Sequence, residues 1–106
     1  MAEVELSEND NEKVVQARLG DEVIIRLKEQ PTTGYRWTID AVSEQLEQGR
    51  SGFSLKQGGG VGGGGEKVMR FIAKRRGSAQ IELKRMRSWE GDVSNAERFR
   101  VSVNIF

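Results

Sequence analysis

Along most of this chain apolar and polar residues alternate one for one, the period of an extended strand with one face buried and the other wet. The last segment carries the pattern furthest, with Phe99, Val101, Val103 and Ile105 set against Arg98, Arg100, Ser102 and Asn104. Val23, Ile25 and Leu27 repeat it. So do Tyr35, Trp37 and Ile39 against Arg36, Thr38 and Asp40, and Met69, Phe71 and Ala73 against Arg70, Ile72 and Lys74, with Ile81 and Leu83 continuing the series. Shorter runs at Val4 to Leu6, Val14 to Leu19 and Phe53 to Leu55 predict further strands, whereas Ala41 to Gln48 fits either a short strand or one helical turn. Turn-forming sequences separate the runs: Leu19-Gly20-Asp21, Gln30-Pro31-Thr32-Thr33-Gly34, Arg50-Ser51-Gly52, a glycine tract, Arg76-Gly77-Ser78 and Glu90-Gly91-Asp92. Seven or eight short strands at this spacing predict an all-β fold, an antiparallel β-sandwich, whose alternate connections gather at one end.

Composition then narrows the function. The 106 residues are one domain's worth of chain, so a single domain over 1–106 is expected. The sequence contains no Cys and no His. That removes disulfides, thiolate metal sites, the usual general base and every Ser-His or Cys-His catalytic arrangement, so the chain is not expected to be an enzyme. Hydrophobic residues at 36% and charged residues at 31% suit a folded domain rather than a disordered chain. With 17 basic and 16 acidic residues, net charge +1, no global field draws nucleic acid or an anionic membrane. Met1-Ala2-Glu3-Val4-Glu5 is acidic and lacks an apolar h-region, and no apolar run approaches membrane-spanning length. The expectation is a soluble monomer, cytoplasmic if Met1 is the native start and periplasmic or secreted if a signal peptide was trimmed.

Three segments stand out as chemistry. Gly58 to Gly65, broken only by Val61, is not a phosphate loop: a Walker A motif needs Lys then Ser or Thr next, and here Glu66, Lys67 and a strand pattern follow. It is either a flexible connector or a loop whose bare backbone lies flat against a partner, with Val61 its only side-chain contact. Pro31-Thr32-Thr33-Gly34-Tyr35 combines a fixed φ, two β-branched residues and a glycine able to take positive φ, which predicts a preshaped loop leading into a strand with Trp37 in the core. Arg87-Ser88-Trp89-Glu90-Gly91 puts a Trp in a turn, beside an Arg, a pairing frequent at interface hot spots. By contrast, Lys74-Arg75-Arg76 and Lys84-Arg85-Met86-Arg87 lack interleaved aromatics and read as solvated faces. Glu90, Asp92 and Glu97 have a spacing that assigns no acid or base role. Glu8-Asn9-Asp10-Asn11-Glu12 reads as a polar turn, not a calcium loop.

Taken together, the Pro-Thr-Thr-Gly-Tyr segment at 31–35, the glycine tract at 58–65 and Arg87-Ser88-Trp89, in this order and spacing, resemble the chagasin family of cysteine-peptidase inhibitors. The resemblance runs from Gly20 to Phe99 and takes in Gly20-Asp21, Trp37 and Glu97-Arg98-Phe99. It implies an immunoglobulin-like β-sandwich whose BC, DE and FG loops align at one end and block the active-site cleft of papain-like, cathepsin L-like cysteine peptidases. Carried over, Pro31, Thr32, Thr33, Gly34 and Tyr35 form the first peptidase-binding loop, with Thr32 the tip that approaches the peptidase's catalytic cysteine and histidine and plugs rather than reacts. Gly60, Val61, Gly62, Gly63 and Gly64 lie along one wall of the cleft, and Arg87 with Trp89 packs on the other. The resemblance implies no cofactor, and the composition gives no reason to expect a metal, nucleic acid or a membrane as partner. The family's first loop usually begins Asn-Pro and its third reads Arg-Pro-Trp. Here Gln30 precedes Pro31, and Ser88 stands where the proline would be, which frees φ at 88 and shifts some ordering cost onto binding. The alternative is an immunoglobulin-like adhesion or carbohydrate-binding module using the same loop end.

Overall fold

The computed structural model describes residues 2–29, 35–55, 65–87 and 97–106. Because successive side chains of a strand face opposite ways, each alternating run offers one apolar face, and two such sheets bury those faces by stacking. The described residues do this with eight strands: β1 (Glu3–Leu6), β2 (Val14–Ala17), β3 (Glu22–Glu29), β4 (Tyr35–Val42), β5 (Leu46–Leu55), β6 (Gly65–Ala73), β7 (Gly77–Arg87) and β8 (Glu97–Ile105). One sheet has the order β1-β3-β6-β5 and the other β2-β8-β7-β4, the immunoglobulin-like arrangement of a sandwich. Within β3 to β8 every pairing is antiparallel. β1 and β2 add parallel strands, on β3 and β8 respectively. The polar segment between them forms a 3-10 turn at Glu8–Asp10, and Glu12 beyond it takes a left-handed backbone, φ 66°, as the chain crosses between sheets.

The core is the set that the alternation selects. Val23, Ile25 and Leu27 of β3, Met69, Phe71 and Ala73 of β6, Ala79, Ile81 and Leu83 of β7, and Phe99, Val101, Val103 and Ile105 of β8 are all buried, with Trp37 among them. Ile24 and Val68 are buried on the opposite, outer face of their sheet. Long charged side chains flank them in the register: Arg26, paired with Glu5, and Arg70, paired with Glu22. Such side chains cover apolar surface with their stems while their heads stay wet.

Two turn expectations need correction. Arg50-Ser51-Gly52 is not a turn between strands; it lies inside β5, where the pairing steps from Gln48↔Phe71 to Ser51↔Met69 and one extra residue is absorbed as a bulge. Gly49 sits at this bulge, beside the Arg70 backbone of the partner strand. The 41–48 segment is neither one short strand nor a helical turn: β4 continues to Val42, a turn follows, and β5 starts at Leu46. β4 carries its own bulge at Asp40, whose carboxylate lies 3.4 Å from Lys84 Nζ and 3.0 Å from an Arg98 guanidinium nitrogen.

At the end where β3 begins, Asp21 is 7% exposed and closes the turn before it. Its carboxylate accepts the backbone N–H of Arg18 at 2.8 Å and of Ala2 at 3.2 Å, while its own carbonyl accepts the Ala73 N–H. Gly20, with φ +94°, provides the reversal. The N–H donors of Arg18 and then Ala2 hold the Asp21 carboxyl below its ordinary value of 3.8. A depressed folded pKa means that the group stabilises the fold fully above the unfolded value and loses that effect as pH falls through the folded one. Urea denaturation from neutrality down to about pH 2 should therefore show Asp21→Asn less stable than the parent at neutral pH, with the difference shrinking below about pH 3.8.

Candidate functional site

The pairing registers determine which strand ends lie together. In the first sheet the last residue of β3, Glu29, faces Gly65, the first of β6, and Gly65 in turn faces Leu55, the last of β5. In the second, Tyr35 at the start of β4 faces Arg87 at the end of β7, and Glu97 at the start of β8 faces Arg85. All six stems of the connections 30–34, 56–64 and 88–96 therefore leave the sandwich at one end. These are the β3–β4, β5–β6 and β7–β8 connections, two within a sheet and one between sheets.

Specific polar contacts join the two sheets at that end. The Trp37 backbone N–H donates to Glu29 Oε1 at 2.8 Å, and the Trp37 indole Nε1–H donates to the Lys28 carbonyl at 2.9 Å. The Lys28 N–H donates in turn to Glu8 Oε1 at 2.6 Å. On the second sheet the Arg85 guanidinium lies over the Tyr35 ring, 5.5 Å from its centroid, and 2.6 Å from Glu97 Oε2. Arg85 thus links the stem of 30–34 to that of 88–96. It is partly exposed, so each contact contributes about 1 kcal/mol or less.

Of the sequence-predicted site residues, Tyr35 and Arg87 are described and stand opposite each other in the β4–β7 ladder. Pro31, Thr32, Thr33, Gly34, Gly60, Val61, Gly62, Gly63, Gly64 and Trp89 lie outside the described residues. The glycine tract ends one residue earlier than its sequence pattern, since Gly65 is already the first, buried residue of β6. Trp37 is buried, at 5% exposure. In the basic cluster at 84–87 the Lys84 side chain is largely buried and meets Asp40, against the expected solvated face, while Arg85 is partly exposed and meets Glu97. Nothing among the described residues builds a catalytic carboxylate pair. The two buried acids, Asp21 and Glu29, sit at opposite ends of β3, and Glu12 and Glu82 both engage Arg100.

The sandwich thus gathers the stems of three connections at one end. The sequence model of the Chagasin family peptidase inhibitor I42 matches residues 16–103; the chain belongs to the chagasin family. Among solved structures, the cysteine protease inhibitor EhICP2 from Entamoeba histolytica is similar with a TM-score of 0.88 and 22% identity over 99% of this chain and 96% of that one. The Leishmania mexicana inhibitor ICP is 32% identical over 92% of this chain and 90% of its own, with a TM-score of 0.68. PbICP-C, solved in complex with falcipain-2, shares 16% identity at a TM-score of 0.67, over 97% of this chain and 99% of its own. No curated protein sequence matches the chain.

Glu29 and Lys28 are the residues that sequence reasoning missed. The signal was there: the inward positions of β3 run Val23, Ile25, Leu27 and then Glu29, a carboxylate continuing an apolar register. Removing only the indole N–H, by Trp37→Phe, leaves the Lys28 carbonyl without that donor. It should lower stability to urea by about 1–2 kcal/mol while the protein stays folded.

Proposed function

We propose that this protein is a reversible, tight-binding inhibitor of papain-like cysteine peptidases, residues 1–106 acting as one inhibitor domain. The observation that carries the proposal is the convergence of the six stems of 30–34, 56–64 and 88–96 at one end of the sandwich, in a chain of the chagasin family. The falcipain-2 complex of PbICP-C supplies the partner class by analogy.

In this reading Pro31, Thr32, Thr33, Gly34 and Tyr35 form the central wedge, Thr32 at its tip. Gly60, Val61, Gly62, Gly63 and Gly64 meet one wall of the cleft, and Arg87 and Trp89 the other. The mechanism needs no chemistry from the inhibitor, whose sequence has neither Cys nor His. It needs only that the cleft be filled by a surface whose ends are already ordered, so that little conformational freedom is lost on binding. Because the stem of 30–34 is fixed on both sheets by Lys28, Glu29 and Trp37, this connection enters the cleft with its ends held. A substrate must bend toward the transition state, and a segment so held resists that change.

Titrating papain or a cathepsin L-like peptidase against a fluorogenic peptide should give stoichiometric inhibition, with an inhibition constant of about nanomolar order. Trp89→Ala should raise the constant about 30-fold, as loss of an aromatic hot spot does, and Thr32→Arg combined with Trp89→Ala should abolish inhibition. A folded sample that leaves several such peptidases uninhibited would put an adhesion or carbohydrate-binding module in place of the inhibitor. Mass spectrometry after prolonged incubation with excess peptidase should find the chain intact between Gln30 and Tyr35; rapid cleavage there would make it a substrate.

A further inference from the structure

Glu29 occupies the last inward-facing position of β3, after Val23, Ile25 and Leu27, and is 5% exposed. A leucine would suit that register better, since a carboxylate removed from water is costly unless something specific compensates it. The compensation visible here is the Trp37 N–H, 2.8 Å from Glu29 Oε1. β4 is the edge strand of its sheet, so the N–H groups on its free side have no strand to meet; the one at Trp37 is taken by a side chain from the other sheet. The two residues flank the 30–34 connection, so this bond, beside that of the Trp37 indole to the Lys28 carbonyl, draws its two ends together. A closure of this kind restricts every residue between its ends, which a contact elsewhere in the core does not.

We propose that Glu29 is a positioning residue for the 30–34 connection, its buried side chain fixing, through the Trp37 N–H, where the two ends of that connection leave the sandwich. The activity part of this proposal rests on the inhibitor reading above; the geometric part does not. Glu29→Leu keeps the volume and removes the acceptor, whereas Glu29→Gln keeps an amide oxygen in place. Should Glu29→Leu fail to fold, Glu29→Ser, too short to reach the amide, takes its place. Val103→Ala, a change at a fully buried position of β8, serves as a control for lost stability alone.

The expected result is an inhibition constant raised about tenfold or more in Glu29→Leu, chiefly through faster dissociation, with Glu29→Gln within about threefold of the parent. Val103→Ala should be less stable and equally inhibitory. Hydrogen exchange at the Trp37 amide, read without any peptidase, should accelerate in Glu29→Leu and return toward the parent rate in Glu29→Gln. Unchanged inhibition in Glu29→Leu, or equal loss in Glu29→Gln, would overturn the proposal. If the parent protein inhibits no peptidase, the inhibitor reading fails by itself. The Trp37 exchange rates then decide whether Glu29 holds the loop stem, an unchanged rate in Glu29→Leu ruling it out.

Discussion

Two sheets carry the ends of the three connections, and hydrogen bonding within a sheet says nothing about how one sheet sits against the other. Apolar packing between the faces is strong but non-directional, so it tolerates sliding that would misalign loops drawn from both. The alignment at the functional end comes from directional bonds that cross between sheets. Lys28 and Glu29 on one side and the backbone and indole of Trp37 on the other make two of them within a single residue's span. Trp37 serves twice, as core volume and as donor, which is the combination that makes buried Trp useful where an apolar body must also be oriented. The rest of the loop end depends on this join, because β4 and β7 share a register from Tyr35↔Arg87 onward and pass the position of Trp37 to the stem of 88–96.

The same device appears at the other end of the molecule with a different consequence. Asp21, the second buried acid, accepts the N–H groups of Arg18 and Ala2 and so ties the start of β3 to the segments beside it. Both buried carboxylates of β3 and its leading turn thus serve backbone N–H groups that no strand satisfies, which is how buried backbone donors at sheet margins are usually accounted for. One closes a tight turn; the other brackets a five-residue connection. The difference lies in what is enclosed, not in the bond.

The alternation of apolar residues made the strands legible, and the turn chemistry made most of their limits legible, because both follow from local geometry that a single stretch of sequence expresses. Arg50-Ser51-Gly52 misled for a physical reason: a bulge and a turn use the same residue types, and only the partner strand, here Arg70 facing the Gly49–Arg50 step, distinguishes them. The parallel pairings of β1 and β2 were illegible because nothing local encodes the direction of a neighbour far along the chain. The loops were conspicuous through composition, but the residues that hold their stems were not. Glu29 looked like one more charged residue beside Lys28, although its place in the register of Val23, Ile25 and Leu27 already assigned it to the core.

This division has a consequence for how such a binding edge changes. A residue at the tip of a loop alters contacts with one partner and leaves the sandwich untouched, so tips can vary while the fold persists. A residue such as Glu29 is bound by two demands at once, since it must satisfy the Trp37 N–H and occupy an apolar register. Gln30 and Ser88 stand where the family more often has Asn and Pro. Asn-to-Gln and Pro-to-Ser changes loosen local backbone preferences and leave the identities of Lys28, Glu29 and Trp37 unchanged. Changes of this kind shift affinity by degrees, whereas loss of the join between the sheets alters how the connections are presented together.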